Sequence, residues 1–191
     1  MKFWFNKGVW ASKKARATVS TLSQKQVKNI AVIRHGALGD MLLTRAFLVE
    51  ARKAFPNARI TLSIVSNYTR GTPEDLVDRV HVVHGSDQRE TPLRTRIKRM
   101  KELGEQDIIF DLASSNRSVM TCVLNRAKLK IGFPYRKVQA RLFYDVATCR
   151  SDTNFEVDDM LNMLNIFGIK TAYPHHYDMP GTALASDTPY I

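Results

Sequence analysis

Apolar runs rich in β-branched residues recur along this chain, with helix-like segments between them, and that alternation is the strongest constraint on its fold. The runs are residues 29–34 (NIAVIR), 58–65 (ARITLSIV), 79–84 (RVHVVH), 107–112 (DIIFDL) and the shorter 129–133 (LKIGF). Most are apolar along nearly their whole length rather than at every second position. Such strands need cover on both faces, which a parallel sheet obtains from its crossover helices. Helices are expected over 40–55, with Leu43, Phe47, Ala51 and Ala54 on one face, and briefly over 73–77. Further helices are expected over 91–103, 115–127 and 154–167, the last stopped by Gly168. The expected fold class is α/β with a Rossmann-like parallel sheet over residues 29–170.

The flanks differ from this middle. Residues 1–28 hold seven basic and no acidic residues, and so carry most of the net charge of +11. Phe3, Trp4, Phe5 and Trp10 stand among those cations, a mixture suited either to an anionic membrane surface or to a solvated tail. No nucleic-acid partner is expected, since no nucleic-acid-binding signature follows the basic arm. Residues 171–191 lose periodicity, gather Pro, Gly and Ser, and read as a linker with the start of a second domain. Cys122 and Cys149 lack metal or redox spacing and read as thiols in a reducing compartment. No run is long and apolar enough for a membrane span.

The first strand enters the turn Arg34-His35-Gly36-Ala37-Leu38-Gly39-Asp40 and then a helix. Ligands of open parallel sheets bind beyond the carboxyl ends of the strands, so this loop should line a cleft. A phosphate loop would need lysine and a hydroxyl residue after its last glycine, where Asp40 and Met41 stand. A dinucleotide fingerprint needs Gly-x-Gly-x-x-Gly, and Gly36 with Gly39 supplies only Gly-x-x-Gly. Two roles stay open for Asp40: a cap for the helix N-terminus, or a general base facing the cleft. Glu156, Asp158 and Asp159 read as a solvated helix face, and His81/His84 and His175/His176 do not suggest a metal site.

Four motifs in register carry a resemblance. The stretch 30–60, with Arg34, Gly39, Asp40, Leu42, Leu43, Thr44, Phe55 and Pro56, resembles the opening of bacterial lipopolysaccharide heptosyltransferases, glycosyltransferase family nine. DIIFDLASSNRS (107–118) is similar to their second loop, LKIGF to their Ile-Gly-Phe, and FEVDDMLNMLNIFGI (155–169) to the last helix of their first domain. Ala46, Ala113 and Phe155 depart from the proline, glutamine and histidine common there; the first departure is harmless, and the other two bear on the acceptor contacts and the sugar transferred. The resemblance implies the N-terminal half of a GT-B enzyme that transfers heptose, or a related sugar, from an ADP-sugar to the lipid A–core oligosaccharide. Asp40 would be the catalytic base. Arg34, His35, Gly36, Gly39, Asp111, Asn116, Arg117, Ser118, Arg136 and Lys137 would lie along the acceptor. The ADP-heptose donor would bind mainly to a second domain, with no metal or other cofactor, at the cytoplasmic side of the inner membrane. The alternative is a standalone Rossmann-like module that binds an anion or nucleotide without transferring anything.

Overall fold

The computed structural model describes residues 10–133, 141–151 and 153–181. In chain order its elements are β1 (Trp10–Ala11), α1 (Lys13–Thr21), β2 (Asn29–Ile33), α2 (Leu38–Ala54), β3 (Arg59–Val65) and β4 (Arg79–Val83). There follow α3 (Leu93–Lys101), β5 (Gln106–Asp111), α4 (Asn116–Leu124), β6 (Ala127–Gly132), β7 (Val146–Ala147) and α5 (Glu156–Leu161). One sheet takes in these strands in the order β1-β7-β6-β5-β2-β3-β4. Every pairing is parallel except β1 with β7.

The apolar runs form the sheet's centre because their two faces bury separate cores. Ile30 and Val32 of β2 point to one side, Ala31 and Ile33 to the other, as the two-residue period of a strand requires. The first side packs α2, α5 and a 3-10 turn at Leu164–Phe167, with Phe47 edge-on to Phe110 at 5.1 Å and Phe55 edge-on to Phe167 at 5.4 Å. The second side is closed by Leu103, Val119, Cys122 and Tyr144. Gly168, at φ 72°, ends the 3-10 turn in the left-handed conformation that glycine adopts most readily.

The described flanks fold against this frame. Residues 10–28 are not a free arm. Trp10 and Ala11 pair with Ala147 and Val146, Ser12 caps α1 by accepting from the Ala15 N–H at 2.9 Å, and Ala15 and Val27 are fully buried. The basic residues around them hid an Ala15/Val19 stripe four residues apart. Phe3, Trp4 and Phe5 lie outside the described residues. At the other end, Arg45 of α2 donates from Nε to the Tyr177 carbonyl at 2.7 Å and also bonds the Asp178 carbonyl. The described part of the expected linker is therefore tied to the domain. Among the described residues no helix is long and apolar enough to cross a membrane.

Candidate active site

Strand order reverses between β2 and β5: one connection leads outward through β3, the other through β6. The loops leaving those two neighbouring strands diverge and leave a crevice at their carboxyl ends, where open α/β sheets hold ligands. Residues 34–40 come from the first loop and 111–118 from the second, so most expected site residues meet at one place. Arg136 and Lys137 lie outside the described residues.

Asp40 is a helix cap, and its carboxylate is also left partly open to solvent. Its Oδ2 accepts the Ala37 N–H at 2.7 Å, which caps α2, so the helix begins at Leu38 rather than at Asp40. Its Oδ1 accepts from Arg34 Nη2 at 2.6 Å. The side chain is still 37% exposed, and a carboxylate has lone pairs to spare beyond two hydrogen bonds. Gly36 permits this fold-back, because a Cβ there would fall on Asp40 Oδ2 and lie 2.6 Å from Asp40 Cβ.

Arg34 is an internal group, only 3% exposed. Its Nη1 donates to the Leu112 carbonyl at 2.6 Å and to Glu156 Oε1 at 3.2 Å, while Nη2 holds Asp40. It joins the two loops and α5 and holds Asp40 from inside the fold. Glu156 is the residue that sequence reasoning missed. Its Oε1 also takes Arg150 Nη2 at 2.6 Å, and the Arg150 guanidinium lies 5.1 Å over the Phe133 ring. The reading of its helix as a solvated face fails at Glu156 and at Asp159, which is buried and accepts the Ser151 N–H at 2.8 Å; Asp158 pairs with His175 at 2.8 Å but stays 47% exposed. Helical periodicity alone carried no sign of the partners awaiting that face.

The second loop is organised by Asp111, which is fully buried. Its carboxylate accepts from the Ala113 and Ser114 N–H groups at 3.0 and 2.9 Å, from Ser118 Oγ at 3.0 Å and from Tyr144 Oη at 2.7 Å. Burial pushes its pKa up against these four donors. Ser114 takes φ 50°, uncommon for a non-glycine residue, and its hydroxyl donates to the Phe133 carbonyl at 3.0 Å. Asp111 and Ser118 thus shape the loop from inside, whereas Asn116 is exposed and Arg117 half-buried at the start of α4.

His35 begins a buried relay. Its Nε2 lies 3.2 Å from Ser63 Oγ, which lies 3.0 Å from His81 Nδ1, and His81 Nε2 lies 2.9 Å from the Arg99 carbonyl. That carbonyl can only accept, so His81 carries its proton on Nε2 and accepts at Nδ1 from the Ser63 hydroxyl. Ser63 Oγ then accepts from His35 Nε2–H, and His35 Nδ1 is left unprotonated and without a partner. Burial, then Arg117 and His81, pull the His35 pKa down to about 3, and burial lowers His81 as well. Both rings are neutral near pH 7.

No family model and no curated protein matches the sequence. Solved structures do. The E. coli heptosyltransferase WaaC with ADP-2-deoxy-2-fluoro heptose superposes with a TM-score of 0.65 at 19% identity, covering 76% of this chain and 50% of that one. The glycosyl transferase family 9 protein from Veillonella parvula DSM 2008 gives 0.58 at 23%, over 78% of this chain and 43% of its own. The E. coli ADP-heptose lps heptosyltransferase II gives 0.52 at 15%, over 70% and 39%. The chain spans half or less of each of these proteins, and at such identities the likeness is one of fold. This chain therefore has the Rossmann-like α/β fold that makes up one half of heptosyltransferases and related GT-B glycosyltransferases, with Asp40 on the turn where the strand order reverses.

Proposed function

We propose that this chain is the acceptor-binding half of an inverting glycosyltransferase, with Asp40 as its general base. The observation that carries the reading is the Asp40 carboxylate itself. It is clamped in one orientation by Arg34 and the Ala37 N–H, yet open to solvent at the reversal of strand order. In the proposed reaction an acceptor hydroxyl gives its proton to Asp40 as its oxygen attacks the anomeric carbon of the donor. The bond to the nucleoside diphosphate breaks on the opposite face and carries its electron pair away, which inverts the anomeric configuration. Heptose or a related sugar from an ADP-sugar, and the lipopolysaccharide inner core, are the donor and acceptor that the structural likenesses and the turn sequence together support. The ADP-sugar would be held mainly by the other half of such an enzyme.

The test is Asp40→Asn in an enzyme that contains both halves. Turnover should fall by about 10²–10⁴-fold, the usual contribution of a positioned base, while the thermal midpoint stays close to that of the wild type. Wild-type turnover in the variant would reduce Asp40 to a helix cap. Calorimetry on the chain alone should show little affinity for ADP. Tight binding there would replace the transferase reading with that of a nucleotide-binding module.

A further inference from the structure

Between α3 and α4, beside His35, lies an open cleft of about 470 Å³. Two cations line it, Arg96 from α3 and Arg117 from the first turn of α4, over the apolar side chains of Met100 and Met120. Five other arginines are paired: Arg34, Arg45, Arg52, Arg99 and Arg150 each hold a carboxylate within 2.7 Å. Arg96 and Arg117 hold none, and among the described residues neither guanidinium makes an ion pair or a side-chain hydrogen bond. The Arg96 Nε is buried without any partner. Burial first, and the charge of Arg96 second, draw the Arg117 pKa below its ordinary value, with only Asp87 acting the other way.

Two like charges gathered in a concave, partly apolar site repel each other, and low local dielectric strengthens that repulsion. An anion between them reverses its sign. The backbone adds to this preference: the N–H groups of Asn116 and Arg117 open α4 with no intrahelical acceptor, at the positive end of a nine-residue helix. Ser115 Oγ caps only the Ser118 N–H, at 3.2 Å.

We propose that this cleft is an oxyanion subsite, in which Arg96 and Arg117 together grip a phosphomonoester or carboxylate group. It rests on the transferase reading only in that the anion would be borne by the acceptor; binding itself depends on the two guanidinium groups. Planar forks of this kind match the oxygens of either anion in a bidentate manner. His35 lines the cleft and directly follows Arg34, so an acceptor anchored there would have its neighbouring hydroxyls close to the Asp40 turn.

Calorimetric titration of the chain with inorganic phosphate and, separately, with acetate at constant low ionic strength tests the subsite. At least one anion should bind, and Arg96→Gln and Arg117→Gln should each weaken it by about tenfold or more, with partial recovery in Arg117→Lys. Phosphate binding without acetate binding assigns a phosphomonoester; the reverse assigns a carboxylate. A second measurement needs no variant: the bound anion should slow phenylglyoxal modification of Arg96 and Arg117, mapped by mass spectrometry, but not that of the exposed Arg94 and Arg126. Binding of neither anion, binding unchanged in both glutamine variants, or uniform protection of all four arginines overturns the proposal. Asp40→Asn should leave phosphate binding intact. Transfer that depends on Asp40 without any anion binding would sink the subsite and spare the transferase reading.

Discussion

Gly36 and Gly39 stand three residues apart and answer to different needs. Gly36 is required by the fold, because a side chain there would displace the Asp40 carboxylate. A Cβ at Gly39 would meet nothing within 4 Å, so nothing in the folded chain demands glycine there. Gly39→Ala is accordingly expected to leave stability unchanged or raise it by about 0.5 kcal/mol, the direction in which alanine improves a helix. If a substrate approaches the turn as proposed, the same variant should raise the KM for the acceptor; an unchanged KM would show that the space above Gly39 stays empty in the reaction. Asp111→Ala is the opposite kind of change. It strands two N–H groups and two hydroxyls in the interior, and should destabilise the chain by about 3–5 kcal/mol in denaturant unfolding.

Between elements, the relay from His35 through Ser63 and His81 to the Arg99 carbonyl links the end of β2 to β3, β4 and α3. Its pH behaviour follows from burial. Both histidines are held neutral, with pKa values below the ordinary value near 6.5. Protons therefore bind more readily to the unfolded chain, and stability present above about pH 6.5 drains away as pH falls toward the folded values. The carboxylates add a separate step. Asp107 accepts the Lys28 and Asn29 N–H groups and pairs with Lys128; although burial alone would raise its pKa, these contacts hold it below the usual range. Its contribution is lost only below about pH 4. Thermal midpoints measured from pH 7.5 to 3 should fall first between about 6.5 and 4, less steeply in His35→Gln, and then again below 4. A flat midpoint from pH 7 to 5 would mean that the relay is not neutral in the fold.

At the scale of the molecule, the ordered flanks change how truncations should be planned. Removing residues 1–28 would strip β1, α1 and the buried Val27 from the sheet edge along with the basic charge. Cutting before Trp10 keeps all of these. The chain shortened by its first nine residues should unfold in one cooperative thermal transition close to that of the whole chain, whereas the cut after Lys28 should lower the midpoint by several degrees. We further propose that the basic N-terminal region meets anionic membrane. Vesicle sedimentation that compares the whole chain with the form beginning at Trp10, at rising salt, checks this; equal binding by the two would assign any attraction to the folded domain.

What this sequence determined by itself was its class and most of its frame. Unbroken apolar strands and one-sided helices depend on local periodicity, so β2 to β6, α2, α3 and α4 were legible from their own residues. So was the turn on which the candidate site is built, because Arg34–Asp40 ends a strand and opens a helix. Short elements were not legible. β1 and β7 hold two residues each; β1 exists only because it finds β7 across more than a hundred residues of chain, and β7 because it lies between β1 and β6. The partners of charged groups were hidden for the same reason. Arg34 meets Glu156 at a separation of 122 residues, and Asp111 meets Tyr144 at 33. Periodicity says which face of a helix is polar, but whether that face meets water or a buried arginine depends on what the rest of the chain brings to it. Only the tertiary structure decided that Glu156 joins Arg34 beside Asp40, and that Arg96 and Arg117 share a cleft which, among the described residues, no carboxylate lines.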